Sequence, residues 1–408
     1  MCKASVVIIG GGASGLMAAI IAAREGSRVT LLEHMDRVGK KLLSTGNGKC
    51  NFTNLNQDIS NYHGESTTFI QGILQQFDYL QTIKFFEELG IVTKSKNGYV
   101  YPNSGQASSV LDLLRQEVSR LGITLVCDVA INNIEKTKKA FKVSCNKGIF
   151  NADSIVLATG SKAAPVTGSD GSGYNYAKGF GHKINKVLPS LVQLKCKEKY
   201  YKTVAGVRTD AKVSLLVDNN YVASDIGELQ LTDYGISGIP VFQISRYAAI
   251  ALSEKKNVSA LINFFPDHNK ASMEEYLIKR FEIHKEKRLE DALIGMLNKK
   301  LIIMLIKESG LSLDCLCSSL CNKDISMLAD SFTGLRTIIT ETNSFDKAQV
   351  CTGGVSLSDI NPETLESYIV PGLYFAGEIL DVDGACGGYN LQWAWSSGYV
   401  SGKNAAYK

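Results

Sequence analysis

The sequence predicts an α/β protein: a parallel sheet with crossover helices, built from both ends of the chain and interrupted by a β-rich insertion and a helical subdomain. Three observations carry this expectation. Residues 5–33 read as strand, glycine turn, helix, strand and acid; the texture turns β-like after about Leu188 and then helical; glycine-rich, strand-forming sequence returns from Thr352.

The opening unit has a mechanical reason at each step. Ser5 to Ile9 is a short β-branched run of the kind buried on both faces of a parallel sheet. Gly10, Gly12 and Gly15 then fall at G-x-G-x-x-G spacing. Gly10 permits the tight turn, Gly12 lets backbone approach a pyrophosphate, and Gly15 lets the helix lie close to its strand. The helix from about Ala13 carries Leu16, Met17, Ile20 and Ala23 at apolar spacing and stops at Gly26, so its first turn, with Ala13 and Ser14, aims its amino end at the phosphates. Glu33, followed by His34, closes the second strand. A carboxylate there accepts both ribose hydroxyls of adenosine and repels a 2′-phosphate.

Residues 73–89 and 107–121 show helical periodicity, each followed by glycine and a short strand. The strand Ile123 to Val129 leads into a meander turning at Asn146 to Gly148, and Ser154 to Ala158 returns as an apolar strand that breaks at Thr159 and Gly160. This order suits an FAD-binding domain of the glutathione-reductase-like Rossmann type better than a nicotinamide dehydrogenase domain. KVSLLV, YVAS and ALINFF then suggest a separate sheet or barrel, 271–330 is nearly all helical in pattern, and LRTIITET at 335–342 is strand-like. The expected division is 1–188 and 351–408 for the cofactor domain, 189–268 with 331–350 for a β-rich substrate domain, and 269–330 for a helical insertion.

Composition narrows the class. A chain of 408 residues with 45% hydrophobic residues can bury more than one core, and a net charge of +4 with no basic, aromatic-interleaved patch gives no case for nucleic acid. The ten cysteines include no C-x-x-C pair, and Cys315, Cys317 and Cys321 lack a partner that would complete a tetrahedral metal site. No apolar run approaches the ~20 residues of a membrane span. The chain enters its first strand at once, with no room for a signal peptide, so a cytoplasmic protein is expected.

Four further blocks carry a resemblance: GKKLLSTGNGKCNFTN at 39–54, LATGSKAAPVTGSDGSGYNYAKGFGH at 157–182, GELQLTDYGISGIPVFQIS at 227–245, and the long glycine-rich block at 352–402. With the opening unit, in this order, the chain resembles the bacterial FAD flavoproteins of the BaiN/YhiN type, a group that includes an aminoacetone oxidase and a 3-dehydro-bile-acid reductase. Two departures stand out: the family usually has arginine where Lys49 stands, and a Thr-His pair with Gly-Pro where this chain has Thr232, Asp233 and Gly238, Ile239. The second removes a proton donor from a segment expected to line the substrate side.

The resemblance implies that residues 39–54 wrap the pyrophosphate and reach the isoalloxazine, with Lys40 and Lys41 as counter-charges and Thr45, Gly46, Asn47 and Asn51 among the contacts. Val129 would offer backbone to adenine, and Thr159 and Gly160 would lie near the cofactor. In the last block Gly377 and Glu378 resemble the strand-Gly-acid element that bonds the ribityl chain, with Asp383 close by. Asn390, Leu391 and Gln392 open a helix aimed at the flavin N1 and O2 edge. Trp393 and Trp395, two residues apart, fall on different helix faces and belong to core packing.

Flavin would carry the redox step. No second G-x-G-x-x-G follows a strand, so NAD(P)H would act as a transient donor and leave before substrate enters. Two enzymatic readings follow. One is an NAD(P)H-driven reductase of an activated C=C bond in a steroid- or bile-acid-like small molecule, with Tyr174 or Tyr234 as proton donor. The other is an amine oxidase that returns electrons to oxygen. A flavin-binding sensor or assembly factor is the non-enzymatic alternative.

Overall fold

The computed structural model describes residues 4–138 and 140–407. The chain divides into two compact units, Met1–Leu188 with Gln349–Lys408, and Pro189–Ala348.

The first unit is built on a five-stranded parallel sheet in the order Leu373–Phe375, Ser154–Leu157, Ser5–Ile9, Arg28–Leu32, Thr124–Val126. Its strands are the apolar runs of the sequence, and Ile8, Leu31, Val156, Leu157 and Phe375 are fully buried, as expected of a sheet covered on both faces. The register aligns the strand ends: Ile9 pairs with Leu32 and Leu157, Leu157 with Phe375, and Leu32 with Val126. Whatever follows each strand therefore emerges at one carboxyl edge.

The helix Ala13–Arg24 and the terminal helix Tyr389–Ala406 pack at very short range. A Cβ on Gly398 would stand 2.5 Å from the Ser14 carbonyl oxygen, and one on Gly402 would stand 2.4 Å from that of Ala18. Trp393 and Trp395 are buried on different sides of the terminal helix, in separate apolar clusters. Trp393 Nε1 donates to Gly377 O at 3.1 Å and Trp395 Nε1 to Phe52 O at 2.9 Å.

The helical pattern over 73–89 resolves into two helices, Thr67–Gln76 and Tyr79–Glu88. The break has a local cause. Asp78 accepts from Gln81 N and Gln81 Oε1 accepts from Asp78 N, both at 2.9 Å, a capping box that starts a new helix in the middle of an unbroken apolar period. The 131–152 segment is an antiparallel meander of three strands, as its turn chemistry predicts.

The second unit contains a closed barrel of six strands: Leu194–Cys196, Gly235–Gly238, Asn220–Leu231, Arg208–Val217, Val258–Asn263 and Leu335–Thr342, the last pairing back on the first. The helical segment follows as Lys270–Ile283, Leu289–Ala292, Lys299–Glu308 and Asn322–Gly334, and its buried face continues the barrel core through Met273, Leu305 and Phe332.

Candidate functional site

The carboxyl edge of the parallel sheet gathers residues far apart in sequence, and in open α/β sheets ligands bind at that edge. Gly10 leaves the first strand at φ +103°, where a Cβ would lie 2.4 Å from Ala158 O, and a Cβ on Gly15 would lie 1.8 Å from Gly10 O. Both glycines are required by close packing. Gly12 differs: nothing lies within 4 Å of where its Cβ would be, and it begins the helix Ala13–Arg24 without a side-chain cap. Open space against helical N–H groups is a cradle for a phosphate. Ser14 Oγ donates to Ala376 O at 3.3 Å, tying that first turn to the edge strand.

Glu33 is buried at the tip of its strand. Its Oε2 accepts from Gly11 N at 2.7 Å and its Oε1 from Met35 N at 2.8 Å, which fixes the carboxylate and leaves about two of its roughly four acceptor positions for ribose hydroxyls. His34 Nδ1 stands 3.4 Å from Oε1. Val129 donates its N–H to the Glu33 carbonyl at 3.0 Å, so that donor already has a partner inside the protein and the expected offer to adenine cannot include it as it stands.

Neither lysine of the short helix Lys40–Ser44 is a bare counter-charge. Lys40 pairs with Asp36, and Lys41 Nζ lies 2.7 Å from Glu378 Oε2, which also accepts from Ser161 Oγ at 3.2 Å. The turn that follows takes left-handed backbone at Gly46, Asn47 and Gly48, and Thr45 Oγ1 donates back to Leu42 O at 2.6 Å. Such a run turns successive backbone groups toward one concavity. Asn51 is buried, and its Oδ1 has no hydrogen-bond partner. It stands 3.0 Å from where a Cβ on Gly388 would be, at the start of the terminal helix.

Gly377 has φ +78°, donates its N–H to Ser397 Oγ at 2.9 Å, and would drive a Cβ to 2.4 Å from Ser14 Oγ, so the strand end, the first helix and the terminal helix meet there. Asp383 is buried in the short strand Val382–Gly384, paired with Tyr62–Gly64. Asn390 and Gln392 have their side chains engaged within the protein. Asn390 exchanges two 2.8 Å bonds with the Gly384 backbone. Fully buried Gln392 accepts from Thr53 Oγ1 at 2.6 Å and donates to Phe77 O at 3.1 Å and Ser396 Oγ at 2.9 Å. Asn390 thus ties the terminal helix to the 384–385 turn and Gln392 ties it to Thr53, and Leu391 packs against the core beside them.

Thr159 and Gly160 leave the strand Ser154–Leu157, Gly160 at φ +74°; the Thr159 hydroxyl is buried with no partner. Tyr174 is buried on the helix Ser172–Gly179. Its hydroxyl also lacks a partner, and burial pushes its pKa far upward. Tyr234 belongs to the second unit, exposed in the turn between Asn220–Leu231 and Gly235–Gly238. Sequence reasoning missed Ser161 and Cys351. Ser161 sits one residue past the Thr159-Gly160 break, a position that already signalled the strand end. The Cys351 thiol, pushed up to about 11 by burial, carries no motif of its own.

Open space at Gly12, spare acceptor positions on Glu33, an orphaned Asn51 oxygen and two orphaned hydroxyls fit a large, polyoxygenated dinucleotide such as FAD. Among the described residues no helix is long and apolar enough to cross a membrane.

The HI0933-like protein Rossmann domain model matches residues 4–404. The chain is 45% identical over 405 residues to the 3-dehydro-bile acid delta(4,6)-reductase of Clostridium scindens, covering 98% of each. It is 30% identical over 401 residues to the ribosomal RNA dihydrouridine synthase of Haemophilus influenzae, covering 97% of this chain and 96% of that one. Among solved structures, a 3-ketosteroid-delta4-(5alpha)-dehydrogenase from Rhodococcus jostii aligns at TM-score 0.48 and 15% identity, over 99% of this chain and 97% of the other.

Proposed function

We propose, from the premise that this chain belongs to the HI0933-like Rossmann-domain family and is an FAD-dependent oxidoreductase, that it saturates a carbon–carbon double bond conjugated to a carbonyl, with NAD(P)H as electron donor. The observation that carries this reading is the 45% identity, over 98% of both chains, to a reductase of an unsaturated 3-oxo bile acid. The ribosomal RNA relative is named for the same class of change, the saturation of a ring double bond, here in uracil.

FAD, when bound, would supply the two-electron hydride chemistry that links a reduced nicotinamide to the alkene. The chain's own residues bind and orient. Glu33 would accept the adenosine ribose hydroxyls, the helix turn at Gly12 would receive the pyrophosphate, and Glu378, held by Lys41 and Ser161, would face the ribityl side. The second hydrogen of the product is a proton, taken up at the carbon next to the one that receives the hydride. A small-molecule enone acid is the substrate class favoured by the higher identity, and the cytoplasm is the compartment in which reduced nicotinamide is at hand.

An anaerobic titration of the yellow protein tests the reading. NADH or NADPH should bleach the flavin band, and a 3-oxo-Δ4 bile acid should restore it with loss of the enone absorbance. Bleaching by aminoacetone with no response to either nicotinamide would replace the reductase with an amine oxidase. Reoxidation by a uridine-containing ribosomal RNA fragment but by no enone would move the substrate to RNA.

A further inference from the structure

Among the described residues of the FAD-binding unit, Thr159 Oγ1 and Tyr174 OH are buried hydroxyls for which the protein supplies no acceptor. The elements that carry them meet at one tight contact. A Cβ on Gly173 would stand 1.8 Å from Thr159 Oγ1, so the helix Ser172–Gly179 rests its first turn on the residue that leaves the strand Ser154–Leu157, with Tyr174 next in line. Tyr174 is 9% exposed, and Cys351, Glu378 and Asp381 lie within electrostatic reach of its phenol. The nearby carboxylates already have donors: Glu378 Oε2 takes Lys41 and Ser161, and Asp381 takes Gly353 N at 3.0 Å and Asn185 Nδ2 at 2.8 Å.

A buried hydroxyl without a partner is costly, and native structures keep few of them. Two on neighbouring elements, at the carboxyl edge where Gly10, Glu33 and Gly377 also emerge, mark a place where an acceptor is expected. We infer that Tyr174 and Thr159 are a paired donor site for an oxygen of the ribityl–pyrophosphate chain of FAD, an inference that rests on the FAD reading above. Burial keeps the phenol protonated, so it has a hydrogen to donate, which suits a phosphate or ribityl oxygen and makes Tyr174 a binding group instead of a proton carrier.

Tyr174→Phe removes one oxygen and nothing else, which gives the test a crossed sign. In protein stripped of flavin, the variant should melt at the wild-type temperature or slightly above it, because an unsatisfied group is gone. In fluorescence titrations with FAD the same variant should bind about tenfold more weakly, and Thr159→Val should move in the same direction. Should stripping unfold the chain, the rate of FAD release from loaded protein makes the same comparison, with release expected about tenfold faster. A Tyr174→Phe protein that melts lower without flavin yet holds FAD within about twofold of wild type overturns the inference. Wild-type protein that takes up no FAD overturns the underlying cofactor reading instead, so the two failures are distinguishable.

Discussion

His182 shows how one side chain writes a pH dependence into the first unit. Ser367 Oγ accepts from Ile369 N at 3.0 Å and Val370 N at 2.9 Å, so its lone pairs are used and its hydrogen turns to His182 Nε2, 2.8 Å away. The ring is then neutral with its proton on Nδ1, buried and without a partner, edge-on to Phe375 at 4.8 Å. Burial lowers its pKa, with Asp359 opposing weakly. A histidine whose folded pKa lies below its unfolded value of about 6.5 keeps its stabilising contribution above that value and loses it as pH falls toward the folded pKa. The melting temperature should therefore drop between pH 7.5 and 5.5, and His182→Gln should flatten that slope in thermal scans. Residues of this kind are poorly legible in sequence, since nothing around His182 announces Ser367. Gly10, Gly12, Gly15 and Glu33 were legible because their reasons lie within one local unit, whereas Lys41, Ser161 and Glu378 come from three distant segments and meet only through the sheet register.

Two elements depend on contacts that can be broken one at a time. The terminal helix approaches Ala13–Arg24 closely enough that a methyl at Gly402 would meet Ala18 backbone at 2.4 Å, where no flexible group can give way. Gly402→Ala should cost about 1–3 kcal/mol and lower the melting temperature, while the neighbouring exposed Lys403→Ala should stay within about 0.5 kcal/mol. On the opposite end of the first helix, buried Glu117 takes Arg120 Nε at 2.6 Å and Arg24 Nη2 at 2.8 Å, and these partners, Arg120 first, bring its pKa down to about 2. Its contribution is present above the ordinary carboxylate range near 4.5 and is lost as pH falls through about 2. Glu117→Gln should cost about 1–2 kcal/mol at pH 7, and urea melts at pH 7 and pH 3 should show that difference shrinking in acid. Most elements could be read from periodicity: Leu335–Thr342 is the strand its alternation describes, and Ala107–Arg120 the helix. The break at Asp78 and the closure of Leu194–Cys196 on Leu335–Thr342 could not, because the first is a side-chain cap hidden in an apolar rhythm and the second a pairing across most of a unit.

At the scale of the whole molecule, one G-x-G-x-x-G unit serves one dinucleotide, and no second strand–turn–helix fingerprint is present in the sequence. A nicotinamide donor then has no dedicated domain, and donor and acceptor should alternate. Initial-velocity plots with NAD(P)H and an enone should give parallel lines, and an intersecting pattern would mean that both substrates are bound at once.

The parallel sheet takes its edge strand, Leu373–Phe375, and its covering helix, Tyr389–Ala406, from the last part of the chain. Translation therefore delivers the cofactor domain unfinished. Until the ribosome has passed residue 406, the strand Ser154–Leu157, buried along its whole length in the finished fold, has an open flank and no lid. Residues 189–348 are complete before that moment. A chain cut between residues 348 and 373 should thus be damaged far beyond the residues it loses, because it keeps a sticky apolar edge in place of a nucleotide-binding domain.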